Sequence, residues 1–173
     1  MANFDIFLPI LLQFEGGYVD NPNDPGGETN KGVTMATFQQ CSNQLLGVQP
    51  TSANLKALTN EQAGVIYKNK YWDPVQGDAF PLQDLANIVC DFYVNAGGHA
   101  TSLLQKTMNS MGANIAVDGV FGPASMQALL PLDQVGVYRQ YKQGRINYYQ
   151  QLGVKYPMFL KGWLNRVNAF PNL

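Results

Sequence analysis

One stretch limits what this chain can fold into. From Phe14 to Thr34 it reads FEGGYVDNPNDPGGETNKGVT, with neither helical nor strand periodicity. Five glycines, two prolines and three asparagines leave too few apolar side chains for the segment to bury a core of its own. The elements on either side must hold it, and a long loop held in this way is commonly a working part of a fold. Four of the chain's twelve acidic residues, Glu15, Asp20, Asp24 and Glu28, fall inside it.

Before the loop, Phe4, Phe7, Leu8, Leu11, Leu12 and Phe14 recur at mostly helical spacing. They predict an amphipathic helix whose last turn carries Glu15 and which Gly16-Gly17 stops. A carboxyl there meets the negative end of the helix dipole and apolar neighbours. Both favour the neutral acid, which suits a general acid. Asp24 sits in Asp24-Pro25-Gly26-Gly27, a tight turn with no apolar run after it, and is expected to stay wet and ionised. Two carboxyls under opposite pressures fit the acid and base roles of sugar hydrolysis. Thr29 and Asn30 could hold a water or a sugar hydroxyl beside them. The other reading of the same residues is that Asp and Asn cap turns through their own side chains.

The rest of the chain reads as helices. Thr34 caps one that Gly47 ends, and Thr59 to Gln62 has the capping-box pattern that opens another, running to Tyr71-Trp72. Val48 to Leu58 reads as a connection. Pro81 is expected at the first position of a buried helix bearing Leu85, Ile88, Val89 and Phe92, which Gly97-Gly98 ends. Asp91 and Asn95 share a face of that helix, where buried polar groups need partners or a cleft. Trp72 is read as cleft-lining or as packing. Thr101 starts a further helix, and Asp118-Gly119-Val120-Phe121-Gly122-Pro123 makes a glycine-braced turn into another. Leu132 to Leu152 is a long helix with Gly153 beyond its end, and a last helix carries Trp163, Arg166 and Val167. Arg166 is open to an ion pair or to a sugar. The fold class is mainly α, with at most a small β-hairpin in the loop.

At 173 residues, 46% of them hydrophobic, the chain can fill one core of ordinary size. A net charge of −1 argues against nucleic acid as a partner and against simple attraction to an anionic wall. Cys41 and Cys90 lie on apolar helix faces, away from any CxxC pattern or His cluster, and read as buried thiols, with a single disulfide between them as the alternative; a metal site is not expected. The apolar run Phe4 to Phe14 has no basic flank or cleavage site, so it reads as a first helix rather than a signal peptide or membrane span.

Three motifs carry a resemblance across almost the whole chain: E-G-G-Y at 15–18, D-P-G-G-E-T-N-K-G-V at 24–33 and G-W-L-N-R-V at 162–167. Together they resemble the glycoside hydrolase family 108 lysozymes, also called secretion-activator or phage-type N-acetylmuramidases. The resemblance implies a lysozyme-like fold, peptidoglycan as substrate, and Glu15 as catalytic acid; no cofactor is expected, because proton transfer and electrostatics suffice. The E-x8-D spacing is also similar to that of phage lysozymes, which favours Asp24 over Asp20 as second carboxylate. Thr29 joins these two as a catalytic candidate. Tyr18, Asn30, Trp72, Asp91 and Asn95 are the substrate-binding candidates. The 118–123 turn is similar to one in small peptidoglycan-binding modules. The family-like segments are expected at 1–90 and 91–173, packed in one globule. A monomer made in the cytoplasm and released to the wall by export or a holin is the family-level expectation. A lytic transglycosylase and a non-catalytic wall-binding or secretion-assisting protein are the rival readings.

Overall fold

The structure, a computed structural model, describes residues 1–20 and 27–173. It forms two compact units, Phe4–Lys70 and Tyr71–Leu173, the latter joined by Met1–Asn3.

The first unit opens with α1 (Phe4–Phe14), which buries Phe4, Phe7 and Leu11 along one stripe. Pro9 stands inside this helix on its exposed side, where it costs one backbone hydrogen bond. After the loop come β1 (Thr29–Asn30) and β2 (Val33–Thr34), an antiparallel pair in which Thr29 faces Thr34 and Asn30 faces Val33. Lys31 and Gly32, at φ 50° and 75°, make the two-residue connection. Two left-handed residues in succession give the turn the hand that matches a hairpin's twist.

Thr34 accepts from the Thr37 amide to start α2 (Met35–Leu46), and Gly47 closes it in the left-handed conformation. A short helix, α3 (Ser52–Lys56), occupies the stretch expected to be a plain connection. Five residues are too few to show a period. The unit ends on α4 (Asn60–Tyr67), opened by a complete capping box between Thr59 and Gln62. Leu11, Phe38, Leu55 and Ile66 are fully buried here.

A π-helical turn, Lys68–Trp72, carries the chain onward. In the second unit, α5 starts at Gln83 and runs to Ala96, two residues later than expected, with Pro81 outside it. Then follow α6 (Gly98–Ser110), α7 (Pro123–Leu129), α8 (Gln134–Lys155) and α9 (Pro157–Asn168). Gly98 opens α6 instead of ending α5. Gly153 lies inside α8, not beyond it. A side chain there would meet Leu160 at 2.8 Å, so glycine serves the close approach of α8 and α9. Phe92 on α5 packs edge-on against Tyr141, Tyr148 and Tyr149 of α8. Among the described residues, no helix is long and apolar enough to cross a membrane.

Candidate active site

The site builds outward from the end of α1. The helix stops at Phe14, and Glu15 follows it half-buried, before two exposed glycines. Its carboxyl lies against Gly32 in the hairpin turn. A Cβ on Gly32 would overlap a Glu15 carboxyl oxygen and the Tyr67 hydroxyl, and would sit 2.8 Å from the Glu15 carboxyl carbon. Glycine is therefore required twice, by its φ of 75° and by this crowding.

Tyr67, buried at the end of α4, donates its hydroxyl proton to the Lys31 carbonyl at 2.9 Å. The bond fixes the turn from below, although Lys31 holds a left-handed conformation unfavourable for its type. Three elements thus meet at one carboxyl: the end of α1, the β1–β2 turn and the end of α4. The Tyr67 role was not visible in the sequence, where a tyrosine on an apolar helix face reads as core.

Beside this point is a pocket of about 210 Å³ lined by Glu15, Gly16, Gly17, Val19, Gly27, Thr29 and Gly32. Four of the seven lining residues are glycines, so backbone forms much of the wall and a bulky group can approach closely. Val19 and Thr29 exchange backbone hydrogen bonds of 2.8 and 2.9 Å, tying together the two ends of the acidic loop. Among the described residues, the Thr29 hydroxyl makes a long contact of 3.5 Å to the Gly27 carbonyl, which leaves it able to hold a ligand. Glu28 buries one carboxylate oxygen that finds no hydrogen-bond partner among the described residues. Asp24 lies outside the described residues.

The remaining candidates divide. Tyr18 is half-buried, with the Lys56 ammonium 5.1 Å from its ring centre. Asn30 is buried, and its amide donates to the Leu55 and Lys56 carbonyls at 2.9 and 3.1 Å. It satisfies the last turn of α3, which corrects its reading as a sugar contact. Trp72 belongs to the second unit, where it is fully buried against Gly77 and donates to Asp78 at 2.8 Å. Packing, the alternative given above, is what this position provides.

Asp91 is also fully buried. It takes one guanidinium nitrogen of Arg145 at 2.6 Å and two nitrogens of Arg166 on its other side, the shortest contact 2.7 Å. Its expected place in a cleft gives way to an ion triad tying α5 to α8 and α9, and Arg166 is the structural partner rather than a sugar ligand. Asn95 is exposed and donates back to the Asp91 carbonyl one helical turn earlier.

Other motifs are structural in the same sense. In the 118–123 turn, Asp118 accepts from Gln105 and from the Val120 amide, and Phe121 stacks on Phe80 with ring centres 5.6 Å apart. Cys41 and Cys90 are free buried thiols whose pKa values burial pushes up, which disfavours the reactive thiolate.

Two family models match, and they meet between α5 and α6 rather than at the boundary of the two compact units. The family model described as Glycosyl hydrolase 108 matches residues 8–97, and the one described as Predicted Peptidoglycan domain matches residues 99–168. Among solved structures, that of SagA from Brucella abortus is similar at a TM-score of 0.77 and 33% identity, over 96% of this chain and 90% of that one. No curated protein matches.

Proposed function

We propose a function from one premise: the chain belongs to the glycosyl hydrolase 108 family. The matched families tie it to peptidoglycan. Our reading is an N-acetylmuramidase that cuts the β-1,4 bond between N-acetylmuramic acid and N-acetylglucosamine. One observation carries it. Among the described residues, the Glu15 carboxyl is the ionisable group that lines the glycine-walled pocket, and the Gly32 turn packs against it.

In this reading Glu15 delivers a proton to the glycosidic oxygen as the bond to the muramic acid carbon breaks. An oxocarbenium-like charge then develops on that sugar. Asp24 stabilises this charge or activates the water that ends the reaction, and Thr29 helps to hold that water. Tyr18, half-buried beside the loop, is the remaining substrate contact of the reading.

Clearance of a purified peptidoglycan suspension tests it with the wild type, Glu15→Gln, Asp24→Asn and Glu28→Gln. Loss of the general acid should slow turnover by about 10²–10⁴. A Glu15→Gln enzyme slowed less than about tenfold would refute the assignment. Asp24→Asn and Glu28→Gln identify which loop acid shares the work. End-group analysis of the fragments separates hydrolysis, which leaves a reducing end, from transglycosylation, which leaves an anhydro end. Binding to peptidoglycan without soluble fragments would mark a wall-binding protein instead.

A further inference from the structure

The chain's charge is unevenly placed. Residues 134–173 hold six of the eleven lysines and arginines and none of the twelve acids. Four of the six are engaged within the fold. Arg145 and Arg166 bind Asp91, Lys142 donates to the Phe170 and Pro171 carbonyls, and Arg139 donates to the Leu173 carbonyl. Lys155 and Lys161 remain exposed, and they bracket the corner between α8 and α9.

The same corner bears some of the most exposed apolar side chains described: Val154 at 87%, Met158 at 79% and Phe159 at 53%. It is firmly built. Gly153 seats Leu160 beneath it, Phe159 leans on Trp163 at 5.7 Å, and Trp163 stacks on Tyr149 at 5.4 Å. A rigid tip that keeps aliphatic groups in water, with cations on both sides, has an interface to meet.

We infer that the α8–α9 corner adsorbs to an anionic phospholipid surface. Val154, Met158 and Phe159 enter the boundary between headgroups and acyl chains, while Lys155 and Lys161 lie among the phosphates. Residues 134–173 themselves contribute no acid that such a surface would repel. A glycan fits less well. Sugar sites present flat aromatic faces with hydrogen-bonding groups between them, whereas the two most exposed groups here are a valine and a methionine, and the less exposed Tyr156 ring has the Lys155 ammonium 5.2 Å from its centre. Adsorption of this kind needs no membrane-spanning helix.

Flotation of the full chain with vesicles tests the inference, comparing phosphatidylcholine alone with phosphatidylcholine mixed with phosphatidylglycerol. Binding should favour the anionic vesicles by about fivefold for each of the two lysines. Lys155→Glu with Lys161→Glu should abolish that preference. Val154→Ser with Met158→Ser should weaken binding to anionic vesicles while leaving the melting temperature unchanged, since these side chains are 87% and 79% exposed. The inference fails if the wild type does not float with anionic vesicles, or if neither double variant alters flotation. It also fails if the variants instead lose binding to lipid-free peptidoglycan, which would make the corner a glycan contact, or if they dissolve a dimer. None of these outcomes depends on Glu15 chemistry, so the lytic assay and the lipid assay can fail separately.

Discussion

Gly32 is the residue on which the site turns. Its missing side chain is the space that Glu15 and Tyr67 share. Gly32→Ala should cost about 1–2 kcal/mol from the left-handed backbone alone, read as a lower melting temperature. It should also displace the carboxyl by a fraction of its own width and lower turnover of peptidoglycan by about 10²-fold. Asp118 offers a different test at this scale. The Gln105 amide and the Val120 N–H hold its carboxyl below the usual carboxylate range. A depressed folded-state pKa contributes stability above the unfolded value and loses it as pH falls through the folded one. Asp118→Asn should therefore narrow the gap between stability at pH 7 and stability below about pH 4, followed by denaturant midpoints. The place of Glu15 at the end of α1 was legible because a helix end and a glycine pair are local signals. Tyr67 was not, because its partner carbonyl lies 36 residues away.

At the scale of elements, the β1–β2 turn holds a contradiction. A lysine occupies a left-handed position that asparagine or glycine fills more easily. Lys31→Asn keeps the backbone carbonyl that Tyr67 needs, and it should stabilise the protein by about 0.5–1 kcal/mol with activity retained. A melting temperature that falls would show that the lysine side chain supports the turn. The helices that were legible began at local caps, as at Thr34 and Thr59. Boundaries set from a distance were misread. The end of α3 is completed by Asn30 from the hairpin, and Gly153 looked like a stop because Leu160, the residue that needs its small size, belongs to the next helix. The helical spacing of Asp91 and Asn95 was read correctly, but spacing along one helix cannot say what faces it.

For the molecule as a whole, the mainly α class followed from the apolar spacing, and membership of the family followed from three motifs. The arrangement inside the second unit did not. Asp91 is held there by arginines 54 and 75 residues further along, and the sequence offers no local sign of either pairing. Arg145 also sits over the rings of Phe92, Tyr149 and Phe170. Asp91→Asn would leave two guanidiniums facing one another with no carboxylate between them. The expected loss is about 3–5 kcal/mol of stability, measured by chemical denaturation. A loss under about 1 kcal/mol would mean that the rings neutralise Arg145 without help.

The placement of charge also governs how the protein should behave on a column. Its isoelectric point near 5.7 is an average over an acid-rich stretch and one without a single acid. At neutral pH a resin of either sign finds something to hold. A chain of mildly negative net charge should still bind cation exchangers weakly at low salt through Lys155 and Lys161 and elute early in a sodium chloride gradient.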